Sequence, residues 1–144
     1  MKLIFITTLL LISGISGSAQ YLNLKGITVQ ATTILYIENN EPQSVTVDQL
    51  YAISFTDKIL THVIYSKGSI SDSQIYQIEN DTNFINGENT IYKFEALSGI
   101  SGNRFHYEIK IDKDGKLLSL KVIQPDGTST IFNGSISKLK TYKQ

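Results

Sequence analysis

The chain has 144 residues, with 13 basic and 13 acidic side chains, two histidines and no cysteine. That inventory excludes a disulfide scaffold and a thiolate metal centre, and it lacks the clustered Lys and Arg that a nucleic-acid partner requires. Arg104 is the only arginine, which also excludes a phosphate clamp built from paired guanidinium forks.

The chain opens MKLIFITTLLLISGISGSAQ. Lys2 gives a positive start, Leu3 to Ile12 are apolar apart from Thr7 and Thr8, and small residues lead to Gly17-Ser18-Ala19. This is the order of a secretory signal peptide over residues 1–19, with Gly17 and Ala19 at the small subsites and cleavage after Ala19. The run stops short of the roughly 20 apolar residues that a spanning helix needs. Without cysteine no lipid anchor of the lipoprotein kind can be attached, so the expectation is a chain without a membrane span after cleavage, exported to the periplasm or secreted. Removal of Lys2 leaves 12 basic against 13 acidic residues, a formal charge of −1. Abundant Ile, Lys and Asn beside a single Arg suit an AT-rich bacterial genome, and the Ala-Gln junction resembles those of secreted proteins of the Bacteroidota.

Residues 20–144 form one expected domain, and their dominant pattern has period two. Ile34 to Glu38 reads as a strand ending in the loop Asn39 to Pro42. Val47 to Ala52 offers at most a single helical turn. Tyr51 to Thr56 and Ile59 to Ser66 read as strands joined at Asp57-Lys58, with Lys67-Gly68 ending the second. Ser73 to Glu79 and Thr90 to Leu97 follow, separated by a polar loop that contains Asn86-Gly87, and SGISGN at 98–103 leads on.

Arg104 to Ile111 (RFHYEIKI) is the clearest strand, apolar or aromatic at every odd position and charged or histidine at every even one. Phe105, Tyr107, Ile109 and Ile111 are expected to face inward, joined by Tyr92 and Phe94. Asp112-Lys113-Asp114-Gly115 is a turn: read as a calcium loop it would place Lys110 and Lys121 where carboxylates are needed, between strands instead of helices. In Lys116 to Gln124, Leu118, Leu120 and Val122 share one face. Pro125-Asp126-Gly127 turns the chain, Thr128 to Phe132 closes on Asn133-Gly134, and Ser135 to Tyr142 adds a last segment.

The sum is all-β, an antiparallel up-and-down meander of about 8–10 strands closing into a small barrel, with a two-sheet β-sandwich as the alternative. The outline resembles lipocalin-type barrels, but the Gly-x-Trp of that family is missing because the chain has no tryptophan. No membership is assigned.

Candidate chemistry is sparse. The most plausible ligand-binding wall is Tyr92, Phe94, Phe105 and Tyr107, although a packed core explains them better. A solid interior with a narrow apolar pocket near one mouth is therefore expected. His106 lies on a wet face, while His62 sits in an apolar strand where packing or bonding to a neighbour suits it better than catalysis. Glu95 and Glu108 could act as paired carboxylates, but salt bridges to Lys93 and Lys110 are the plainer account. No catalytic constellation, metal cluster or cofactor motif emerges. The leading expectation is a non-catalytic exported module that binds a small apolar ligand or an envelope partner. The alternatives are a small secreted hydrolase using Glu95, Glu108 or His62, and a structural or inhibitory surface protein.

Overall fold

The computed structural model describes residues 24–140. The signal segment and its cleavage point lie outside the described residues. Eight strands run in chain order: β1 (Leu24–Glu38), β2 (Glu41–Ser54), β3 (Ile59–Ser66), β4 (Ser69–Asn86), β5 (Asn89–Ser98), β6 (Arg104–Ile111), β7 (Leu117–Ile123) and β8 (Ser129–Lys140). Each is antiparallel to its chain neighbours, and β8 returns to pair with β1. The meander is thus a closed barrel, and the sandwich alternative is set aside. Closure leaves no free edge around the barrel wall.

The turns follow their residue chemistry. Asn39 and Asn40 both have positive φ (52° and 62°), the requirement of a tight two-residue hairpin. Asp112-Lys113-Asp114-Gly115 is a turn, as its sequence requires. Asp112 Oδ1 accepts from the Asp114 and Lys116 amides at 2.9 Å each, and Gly115 takes φ 83°.

Several expectations need correction. Val47 to Ala52 is strand, because Gln49 to Ala52 pair with β1 on one side and β3 on the other, with Val47 and Asp48 at the irregularity in the β1–β2 ladder. Pro42 is part of β2, opposite Ile37 on a stretch that pairs with β1 alone, where a missing amide goes unnoticed. β4 continues through the supposed loop to Asn86, with its register shifted between Glu79 and Thr82 around Asn80 (φ 51°). In β7 the partner of Ile111 is Leu117 and that of Lys110 is Ser119. The extra residue makes Leu117 buried and Leu118 40% exposed, reversing the expected pair. Asn133-Gly134 is no turn; both lie inside β8.

The core fills the barrel from every strand. Ile27, Val29 and Ala31 of β1 meet Tyr51, Ile53, Leu60, Tyr76 and Ile78, with Tyr92, Phe94 and Ala96 of β5. Tyr107, Ile109 and Ile111 of β6, Leu117, Leu120 and Val122 of β7, and Phe132 of β8 complete it. The expected inward set is therefore inside, with Phe105 only half-buried.

Because the strands alternate in direction, the turns at 39–40, 67–68, 99–103 and 124–128 share one end, here called the upper mouth. Two ribbons outrun the wall. The β1–β2 hairpin extends past the last β1–β8 pair, Leu35 with Ile131, and the β4–β5 hairpin extends at the opposite end to Asn86 and Asn89.

Candidate functional site

The interior changes character along its length. Aromatic rings form a connected column: Phe55 stacks on Tyr92 (5.8 Å) and meets Phe94 edge-on (6.0 Å). Phe94 stacks on Tyr107 (5.0 Å, 4°), Tyr107 meets Tyr51 edge-on (6.2 Å), and Tyr51 stacks on His62 (4.3 Å, 9°). The lower part is largely hydrocarbon. The upper part ends in hydroxyl, imidazole and amide groups.

That upper cluster is built by strand register. Tyr51 and His62 are direct cross-strand partners, and His62 is in turn opposite Gln74. Gln49 and Gln74 sit two residues above Tyr51 and Tyr76 on the same strand faces, so each amide caps a phenol. Tyr51 Oη donates to Gln49 Oε1 at 2.8 Å, and Tyr76 Oη donates to Gln74 Oε1. Gln74 Nε2 donates to Asp72 Oδ2 at 3.2 Å. Gln49 Oε1 also lies 2.9 Å from His62 Nε2. An amide oxygen only accepts, so this nitrogen carries the imidazole proton.

Electrostatics keep the cluster uncharged apart from Asp72. Burial pushes the Tyr51, Tyr76 and Tyr107 phenols up, with smaller contributions from one another and, for Tyr76, from Asp72. Burial lowers the His62 imidazole below its ordinary value, and Asp72 opposes this only in part. His62 is therefore a neutral hydrogen-bond donor at neutral pH. The mouth is polar, where a narrow apolar pocket was expected.

Of the four candidate wall residues, Tyr107 and Phe105 lie towards this mouth. Phe105 meets Tyr76 edge-on at 5.6 Å. Tyr92 belongs to the packed part below, and Phe94, the cross-strand partner of Tyr107, sits level with it; both are buried. The sequence reading missed Gln49, Asp72 and Gln74. Their only signal was position: they share strand parity with Tyr51 and Tyr76, which places polar groups on an inward face.

The carboxylate pair lies elsewhere, on the outer wall, in a groove of about 310 Å³ lined by Asn80, Lys93, Glu95, His106 and Glu108. Lys93 bridges Glu108 at 3.2 Å. Glu95 pairs with Arg104 at 2.6 Å, not with the expected lysines, and Arg104 also reaches Glu79 at 2.7 Å. Hydrogen bonds from Arg104 and then Asn80 hold the Glu95 carboxyl below its usual range. A carboxylate so stabilised is a poor proton donor. A second surface groove, of about 340 Å³, crosses β1, β2 and β3 and is lined by Thr28, Ala52, Ile59 and Thr61 among others.

The fold and the site together define an eight-stranded antiparallel meander barrel with a packed lower interior and a polar upper mouth. Comparison of the chain with protein-family models, with curated proteins and with solved structures returned no match in any of the three.

Proposed function

We propose that this protein is an exported, non-catalytic binding module whose upper mouth takes one small molecule. The observation that carries the reading is the convergence of Tyr51, Tyr76, His62, Gln49 and Gln74 on one end of a barrel whose other half is filled. Small-ligand sites combine aromatic walls with a few placed polar groups, and this mouth has both. Export rests on the leader-like order of residues 1–19.

The state of the candidate catalytic groups favours binding over hydrolysis. Glu95 is held ionised, Glu108 is paired with Lys93, and the protonated nitrogen of His62 is engaged by Gln49. The outer wall also favours an aqueous setting over a lipid one. A membrane barrel presents an apolar band outward, whereas β5 to β7 present Lys93, Glu95, Glu108, Lys110 and Lys121 in mid-strand.

An envelope partner is the second reading, favoured by the β1–β2 ribbon. It projects Leu35, Tyr36, Ile37 and Val45, each at least 41% exposed. Residues 41–46 of β2 pair with β1 alone, which leaves one edge of backbone donors and acceptors open to an added strand.

Native mass spectrometry of protein purified from its own host tests the proposal. The processed chain should begin at Gln20 and carry a small-molecule adduct that is lost on denaturation. A bare chain would overturn the small-molecule reading, and a chain that keeps residues 1–19 would overturn export.

A further inference from the structure

We infer that Tyr107 is the anchoring hydrogen-bond group of the upper mouth, and that its ligand is an uncharged, hydroxyl-bearing ring of about monosaccharide size. The inference rests on the binding reading above and adds the ligand's chemical class and its anchor.

Three inward tyrosines approach one another here, and two of them are satisfied by the protein. Tyr51 donates to Gln49 and Tyr76 to Gln74. Tyr107 is only 4% exposed, yet its hydroxyl has no hydrogen-bond partner among the described residues. No sealed side-chain nitrogen or oxygen among those residues lacks a partner. The Tyr107 hydroxyl is therefore not sealed in; solvent reaches it. A phenol that solvent reaches and no protein group satisfies is free to exchange its water for a partner from outside the chain.

The surrounding groups narrow what that partner is. The titratable groups facing the cluster are Tyr51, Tyr76, Tyr107, His62 and Asp72. The phenols stay protonated and His62 stays neutral, so Asp72 is the one charge. An anion would meet this carboxylate with no cation to offset its lost hydration. A cation would find a single exposed carboxylate that already accepts from Gln74. Neutral hydroxyls suit the set better: Asp72 and the Gln74 amide oxygen, which takes only the Tyr76 hydroxyl from the protein, accept, while Tyr107 donates. Phe105, half-buried and edge-on to Tyr76, supplies an apolar wall for a ring face. Size follows from the barrel, since eight strands leave room for at most one small ligand and the lower interior is full.

Saturation-transfer NMR on the secreted, processed protein tests this with five probes. These are glucose and N-acetylglucosamine (neutral), gluconate (anionic), glucosamine (cationic) and toluene (uncharged and apolar). The neutral sugars should receive saturation and the other three should not. Tyr107→Phe keeps the ring and should weaken sugar binding about tenfold, the worth of one hydrogen bond. It should also leave Tm unchanged or higher, because the removed hydroxyl bonds nothing within the protein. Binding of toluene without the sugars would overturn the ligand class while leaving the small-molecule reading intact. Silence from every probe, with no adduct on the native protein, would overturn both. Sugar affinity equal to wild type in Tyr107→Phe, or a lower Tm, would overturn the anchor.

Discussion

Gly134→Ala should be among the most damaging single changes in the protein. Gly134 pairs with Ala31 where β8 closes on β1. A Cβ built there would lie 1.9 Å from Gln30 O, 2.9 Å from Gln30 C and 3.0 Å from Ala31 Cα. Ordinary contact begins near 3.4 Å, so β1 and β8 would have to separate by about 1.5 Å. The obstructing atoms are backbone and have no rotamer to change. On either side of the clash, Val29 and Ala31 are fully buried, so moving β1 also loosens the core. Overpacking of this kind costs about 1–3 kcal/mol, and rupture of a closing ladder adds to it, giving about 3 kcal/mol or more.

Gly127→Ala is the internal control. Gly127 has φ 87° with nothing within 4 Å of the added carbon, so only the left-handed backbone penalty of about 1–2 kcal/mol applies. Urea unfolding followed by circular dichroism separates the two. With m of about 1.5 kcal/mol/M, Gly134→Ala should lower the midpoint by about 2 M and Gly127→Ala by about 1 M. A Gly134→Ala midpoint within about 0.3 M of wild type, or no lower than that of Gly127→Ala, would refute the close-approach argument.

Phe94→Ala should cost about 3–5 kcal/mol by equilibrium unfolding, because Phe94 is buried and stacked on Tyr107. Phe105→Ala should cost less, about 2–3 kcal/mol, since that ring is only partly buried against the core. Asp112→Ala removes the acceptor of two backbone amides and should cost about 1–2 kcal/mol, while micromolar calcium leaves the melting temperature of the wild type unchanged. His62 predicts an acid-side loss of stability. Its native value is lowered, so between that value and about 6.5 the unfolded chain binds a proton that the native chain does not. This contribution is complete above about pH 6.5 and is lost as pH falls towards the native value. His62→Gln should therefore flatten the decline measured between pH 7 and 5, and an unchanged slope would refute the assignment.

The fold was legible wherever one face of a strand is wet and the other dry. In Arg104 to Ile111 charge and apolarity alternate without a slip, and the inward set follows directly. Legibility failed at irregular register. The extra residue in β7 exchanges the roles of Leu117 and Leu118, and composition alone cannot distinguish two adjacent leucines. β4 was cut short because its last residues, from Thr82, pair only with β5 in a ribbon wet on both faces. Without a dry face the period-two signal vanishes, so NDTNFIN reads as a loop. Gly134 reads as a turn residue until the closing strand is seen beside it.

The mouth was illegible for a different reason. Tyr107 was legible as an inward aromatic, but Gln49, His62 and Gln74 come from three other strands, and each alone is an ordinary polar interruption of a strand. Their meaning is collective and depends on closure, which brings β6 across the lumen from β2. The same closure accounts for the gradient along the aromatic column. Towards the lower end, Phe55, Phe94 and Ile109 need no polar partner, and close packing is their best state. Towards the upper end, phenols take interior positions with the same ring area, and the Tyr51 and Tyr76 hydroxyls reach amides two residues nearer the mouth on their own strands. Substituting Tyr for Phe at a given level therefore costs little packing while changing what the end of the barrel offers to solvent. A chain selected for stability alone could fill both halves with hydrocarbon. Three phenols, of which the protein satisfies two, place the unmet hydrogen-bonding capacity at one mouth, and that is the physical basis for locating function there.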